Sequence, residues 1–398
     1  MDLDALDVTA LHARIDALDE STLRARRTMK WTRYPPDVLP AWVAEMDYPL
    51  APAVLDAARD VLARHDLGYP EPHGLAEAFA RWASQQQGWQ PDPAHAVPVA
   101  DVMAGLEAAL RVLTEPGDAV VLATPAYPPF FALLDDLRRR TVDWPLRDTE
   151  HGWMLDLDML SAALAGGARA VLLCHPHNPV GRVWSPEELH AVAELADTHD
   201  AHVISDEVHA PLLAAGTDFT PYARVSDTAV TVTSISKGWN VPGLKCALLQ
   251  AQPATAHVAA AVPERERLRA SVPGVAASIA AWTDDGGWLA AVRDYLDRTR
   301  AELASWLAQR PGVRAHAGQA GFLTWLDLRR AGLGDDPAAA LLERGRVALN
   351  PGHHFAGRAG DGHARLNHAT SLPLLREVLR RIDATLDGGA TSRPAQNS

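Results

Sequence analysis

A chain of 398 residues, 47% of them hydrophobic, is long enough to bury a large core, most simply as one large and one smaller domain. A net charge of −13 argues against a nucleic-acid or anionic-membrane partner, because both require a basic face. No apolar run approaches the roughly 20 residues of a membrane span, and the two cysteines, Cys174 and Cys246, sit in apolar strand-like runs, which excludes a disulfide framework or thiolate metal site.

In chain order, residues 1–19 alternate acids with Leu, Ala and Val and lack the basic start and apolar core of a signal peptide, so a cytoplasmic protein is expected. From about 50 to 285, short apolar runs alternate with helical patterns. Residues 119–123 read as a strand, 130–139 as a helix and 170–174 as another strand. Ser185-Pro186-Glu187-Glu188 is a capping box with proline in the first turn, opening a helix to about Thr198. Apolar runs at 201–205, 229–233 and 245–250 complete the series. Buried strands separated by helices predict an α/β domain with a mainly parallel central sheet flanked by helices. After about 286 the style changes. A helical pattern over 287–310 precedes a strand at 321–326, and a last helix covers 372–386. This reads as a smaller α+β domain completed by the N-terminal segment. The expected division is a segment over 1–50, a large domain over 51–285, a small C-terminal domain over 286–387 and a disordered tail over 388–398.

Ligands in such sheets bind beyond the C-terminal ends of the strands, and the polar clusters fall there. Of 37 basic residues only three are lysine: Lys30, Lys237 and Lys245. A lysine amine can lose its proton and form a Schiff base, which arginine cannot. Lys237 follows Thr233-Ser234-Ile235-Ser236 at the end of a β-branched run. Small hydroxyl residues there suit a cofactor aldehyde with its phosphate nearby. Codon usage favouring arginine would also leave a stray lysine, and the motif alone does not separate the two readings.

Three further residues join it. Asn178 lies in His175-Pro176-His177-Asn178-Pro179 after one strand, Asp206 opens Asp206-Glu207-Val208-His209 after another, and Arg365 lies in Ala364-Arg365-Leu366-Asn367 of the smaller domain. Singly they read as a turn, a helix cap and a surface arginine. Taken in order, and at strand ends, they supply what pyridoxal phosphate catalysis requires. A lysine holds the aldehyde and moves the proton, and a carboxylate keeps the pyridine nitrogen protonated. An amide steadies the phenolic oxygen, and an arginine forks onto the substrate carboxylate.

On these residues the chain resembles the fold-type I pyridoxal phosphate enzymes, the aspartate aminotransferase superfamily, over residues 28–385. The resemblance matches Lys237 to the Schiff-base lysine, Asp206 to the ring-nitrogen carboxylate and Asn178 to the phenolic-oxygen donor. Arg365 matches the carboxylate-binding arginine and Ser234 a phosphate-contacting hydroxyl. Lys245 stands where many members carry a phosphate-binding arginine.

A narrower resemblance, to the MalY/PatB cystathionine β-lyase branch, rests on Lys30-Trp31-Thr32-Arg33-Tyr34, Leu39-Pro40-Ala41-Trp42-Val43-Ala44-Glu45-Met46-Asp47-Tyr48 and Pro125-Ala126-Tyr127-Pro128-Pro129-Phe130-Phe131. It rests also on the Asn178 loop and on His209, where broad aminotransferases usually carry tyrosine. The resemblance implies that Tyr127 stacks on the cofactor ring, with His209 beside it. It implies that the backbone of Val102 and Met103 cradles the phosphate at a helix N-terminus, and that Ala44 joins Asn178 and Arg365 around the substrate. Tyr69 would reach the phosphate of a neighbouring subunit, making the active unit a homodimer. Two positions depart from the pattern. Asp101 replaces a common glycine or serine and reads as a helix N-cap turned from the phosphate; Glu45 replaces aspartate. The implied activity is a C–S β-lyase acting on L-cystathionine or related cysteine S-conjugates. An aminotransferase using the same residues is the alternative, since fold does not fix function; a regulatory, partner-binding protein that keeps the fold is a third reading.

Overall fold

The computed structural model describes residues 8–284 and 287–390. Strand β1 (Leu39–Pro40) lies in the N-terminal segment. The large domain follows with β2 (Ala96–Val99), β3 (Ala119–Thr124), β4 (Arg140–Pro145), the hairpin β5 (Arg147–Thr149) and β6 (Gly152–Met154), β7 (Ala168–Cys174), β8 (His202–Asp206), β9 (Val230–Thr233) and β10 (Ala247–Ala251). The small domain supplies β11 (Leu323–Asp327), β12 (Val347–Ala348), β13 (Asn350–Pro351) and β14 (His363–Asn367).

The central sheet runs β2-β10-β9-β8-β7-β3-β4. Every pairing from β9 to β4 is parallel, and β10 alone is reversed, antiparallel to both β9 and β2. The sheet is therefore mainly parallel, as the alternation of strands and helices predicts. Side chains alternate across it into two separate cores. Val171, Leu173 and Val203 enter one, and Leu172, Ile204, Val230 and Val232 the other. Both faces must be apolar, which is why these strands read as unbroken hydrophobic runs.

Helix Val102–Leu113 covers the second face through Leu106, Ala109 and Leu110. Its approach is closest at Gly105, where a Cβ would lie 2.7 Å from Val232 Cγ1. Glycine is what lets the helix sit against β9 at that point.

In the small domain β11-β14-β13 form an antiparallel sheet, and β1 pairs with β12 through Leu39 and Val347. A third core joins Leu39 of the N-terminal segment to Leu303, Leu326, Leu366 and Ile382. Several boundaries move, among them the helix expected over 130–139, which is Pro128–Asp136, and the strand expected over 321–326, which is Leu323–Asp327. The run expected as a strand from 245 begins at Ala247, because Lys245 sits in a left-handed turn with φ of 46°. The last helix, Leu372–Ala390, continues past 386 into the first residues of the expected tail; the remainder, 391–398, lies outside the described residues. Among the described residues no helix is long and apolar enough to cross a membrane.

Candidate active site

Strands β7, β8 and β9 are neighbours, and their C-terminal ends bring three predicted residues to one edge. Cys174 pairs with Asp206, and Asp206 with Val232. Backbone bonds carry the alignment past the strands: His175 N–H donates to Asp206 O at 2.9 Å and Glu207 N–H to Val232 O at 2.9 Å. The loop after β7 is buried and held from several sides. Trp184 Nε1 donates to Cys174 O at 3.1 Å, and a ring nitrogen of His177 meets Pro125 O at 2.8 Å. Burial holds the His177 and His175 imidazoles near pKa values of about 4 and about 3, so both are neutral scaffold groups.

Lys237 rides on the short helix Ile235–Gly238. Ser234 caps that helix, accepting from Ser236 N–H at 3.1 Å and donating to Cys246 O at 2.7 Å. The lysine is part-buried, and its Nζ donates to Ala44 O at 2.7 Å. Burial first, then repulsion from Arg365, lowers its pKa to about 8, against the opposing pull of Asp206 and Glu45. Asp206 moves the other way. Burial raises it to about 7, although Val208 N–H donates to its Oδ1 at 3.1 Å and Lys237 attracts it. Desolvation outweighs attraction for both groups, and no ion pair joins them. The two groups stand ready for a partner that takes up charge between them.

Arg365 reaches this edge from β14 of the small domain. It is 2% exposed. Its Nη1 donates to Asn178 Oδ1 at 3.1 Å and its Nη2 to Trp42 O at 2.9 Å, with the guanidinium 4.9 Å from the Phe355 ring centre. Burial lowers its pKa to about 10, so it stays cationic at neutral pH. Its Nε has no acceptor, and no carboxylate among the described residues pairs with it. A buried cation with a free donor is what a substrate carboxylate needs.

The N-terminal segment closes the site. Asn367 Nδ2 donates to Val43 O and Glu45 O, each at 2.7 Å. Asn240 clamps Met46 at both its N–H and its carbonyl, at 2.8 and 2.7 Å. Beneath lies a fully buried ion pair, Lys30 Nζ to Asp47 Oδ2 at 2.8 Å, with Trp31 Nε1 on the other oxygen of Asp47 at 2.8 Å. The scarcity of lysine singles out Lys30 in the sequence, but its partner is visible only in the fold. Asn240 and Phe355 carried no sequence signal.

Val102 and Met103 form the first turn of the helix Val102–Leu113, with Asp101 as its N-cap accepting from Ala104 N–H at 3.0 Å. Lys245 Nζ meets the other oxygen of Asp101 at 2.8 Å. Lys245 thus offsets the charge of Asp101 beside the helix N-terminus. Tyr127 precedes helix Pro128–Asp136, part-buried and edge-on to Phe130 at 5.4 Å. His209 is buried 6.4 Å from the Phe322 ring and held neutral near a pKa of about 3, chiefly by burial and then by Lys237 and Arg365. Glu45 turns outward, accepting from Thr28 Oγ1 at 2.6 Å. Tyr69 does not join the others: it is 86% exposed, in the loop before helix Leu75–Gln87.

The donor set fits pyridoxal phosphate. A weakly basic lysine, a buried carboxylate, an amide and an arginine with an unpaired Nε converge from four separate elements. Lys237, Asp206, Asn178, Ser234, Tyr127, His209 and the turn at Val102 and Met103 would hold it.

A family model described as aminotransferase class I and II matches residues 42–382. The chain is 35% identical to a cystathionine beta-lyase of Corynebacterium glutamicum, covering 94% of this chain and 100% of that protein. It is 32% identical to cystathionine beta-lyase PatB of Bacillus subtilis, covering 88% and 93%. The crystal structure of a PLP-bound C-S lyase from Staphylococcus hominis superposes with a TM-score of 0.86 at 27% identity, covering 94% and 98%. The chain therefore belongs to the aminotransferase class I and II family, in the branch that includes PatB.

Proposed function

We propose that the protein is a pyridoxal phosphate-dependent C–S β-lyase that converts L-cystathionine or related cysteine S-conjugates, with water, to a thiol, pyruvate and ammonia. The observation that carries the chemistry is Lys237, a part-buried amine with a pKa lowered to about 8, beside Asp206 and Arg365. The cofactor, when bound, supplies an electron sink for the pair left at the substrate Cα. Arg365, fixed by Asn178 and Trp42 O, holds the α-carboxylate through the donors it has left. Lys237 Nζ, as a free amine, would take the Cα proton; near neutral pH its lowered pKa makes the unprotonated form accessible. Asp206 would pair with a protonated ring nitrogen of the cofactor, and such a cation would favour the ionised carboxylate.

Elimination rather than transamination is carried to this chain by its relatives, because the same residues serve both. Product analysis with L-cystathionine and a panel of cysteine conjugates decides. Pyruvate, ammonia and free thiol from a single amino acid support the lyase, whereas a keto acid formed only with an amino acceptor supports an aminotransferase. We also read the active unit as a cytoplasmic homodimer in which Tyr69 reaches the partner's phosphate site. The exposed series Leu62, Leu67 and Tyr69, at 55, 61 and 86%, supports a covered face there.

A further inference from the structure

Away from this site, helices Leu75–Gln87, Val272–Thr283 and Trp288–Ala308 meet around a cleft of about 330 Å³. That volume lies within the roughly 300–1,000 Å³ usual for small-molecule sites. Trp82, Trp239, Trp282 and Trp288 line it, all below 8% exposure. Two independent features mark it as more than a surface dip. The indole N–H of Trp288 is buried and has no acceptor. Two arginines, Arg81 and Arg293, line the same cleft without an ion-pair partner among the described residues. Arg293 is half-buried, and its Nε is committed to Pro211 O at 2.7 Å. A buried donor without an acceptor and a desolvated, unpaired guanidinium both cost free energy until an acceptor arrives. Asp284 also lines the cleft, so among the described residues the lining carries two cations and one acid.

From this juxtaposition we propose that the cleft is a second ligand site that takes a small, planar, monoanionic organic carboxylate. Its carboxylate would accept from Trp288 Nε1 and the guanidiniums, and its flat body would lie against the tryptophan edges. The site adjoins the catalytic lysine from behind. Trp239 caps the Lys237 helix, its N–H donating to Ile235 O at 2.9 Å. The Pro211 held by Arg293 packs against Gly238, where a Cβ would lie 2.8 Å from Pro211 Cβ.

Calorimetric titration of the cofactor-loaded enzyme with benzoate, and with uncharged benzamide of the same shape, tests the site. Because benzoate can also reach Arg365, the titrations are repeated on Arg365→Ala, Arg81→Gln and Trp288→Phe. Saturable benzoate binding is expected to persist in Arg365→Ala and to weaken about fivefold in Arg81→Gln, the scale of one screened charge contact. It should weaken also in Trp288→Phe, and benzamide should bind less well throughout. Arg81 is exposed on its helix, so its variant folds whatever the outcome at Arg365. Benzoate binding unchanged in both Arg81→Gln and Trp288→Phe, or no saturable binding at millimolar benzoate, overturns the proposal.

Discussion

Arg365 and Asn178, 187 residues apart, meet at 3.1 Å. The bond ties a strand of the small domain to the loop after β7 in the large one. It also orients the guanidinium with its Nε free. In the proposed role of Arg365, substrate carboxylate binding would be coupled to the packing of the two domains.

Arg365→Ala should therefore lower kcat/KM by roughly 10²-fold or more, consistent with about 3 kcal/mol for a charge-assisted contact. Cofactor binding should survive, because the other residues assigned to the cofactor are untouched. Steady-state kinetics beside a cofactor absorbance titration separates the two effects. Unchanged kcat/KM would remove Arg365 from the substrate site.

Borohydride reduction of the cofactor-loaded enzyme should fix the label on Lys237. Lys30 is sealed in its pair with Asp47 and Lys245 is engaged by Asp101, so neither competes. Peptide mapping reads the position, and a label on either of the other lysines would contradict the assignment. Lys237→Ala should lose several orders of magnitude in rate, since base and cofactor anchor go together.

Glu207 predicts a pH dependence of stability. Its Oε1 accepts from Ser205 Oγ at 3.0 Å and Tyr222 N–H at 2.9 Å, and burial raises its pKa from 4.5 to about 8. The folded state holds this proton more tightly than the unfolded chain. The resulting stability is complete below the unfolded pKa and is lost as pH rises through about 8. Glu207→Gln keeps an acceptor but cannot titrate. The Tm of the variant relative to wild type should rise from about pH 5 to pH 8, and a constant difference would show that Glu207 does not titrate in this range.

Lys30 has a structural role, and removing it should cost stability more than chemistry. Lys30→Met strands the buried Asp47 with Trp31 Nε1 alone, a loss of about 3–5 kcal/mol. Denaturant unfolding measures it. A variant as stable as wild type would mean that water or another group reaches Asp47.

Tyr69 is testable by complementation. Lys237→Ala and Tyr69→Ala subunits should each be inactive alone. If Tyr69 serves the partner, mixed dimers carry both lesions in one site and leave the other intact, restoring up to about half of one wild-type dimer's activity. No recovery after confirmed subunit exchange would place Tyr69 in its own chain's site or in none.

By itself the sequence determined β3, β7, β8, β9 and β10 of the central sheet, because both faces there are buried and each must read as an apolar run; β2 and the largely exposed β4, at the sheet edges, were not among them. It also marked Asn178, Asp206 and Lys237, since each directly follows such a run, and the capping box at Ser185, which depends on local spacing alone. Where β10 reverses direction, its apolar pattern is the same as a parallel strand's, so only pairing could reveal it. Tertiary structure decided what distant residues do to each other. Lys245 sits on Asp101, 144 positions away, Lys30 is locked to Asp47, and Lys237 rests on the carbonyl of Ala44. The shifted pKa values of Lys237, Asp206 and Glu207 belong to the same class. Each is set mainly by burial, and burial is a property of the folded neighbourhood that no local sequence pattern encodes.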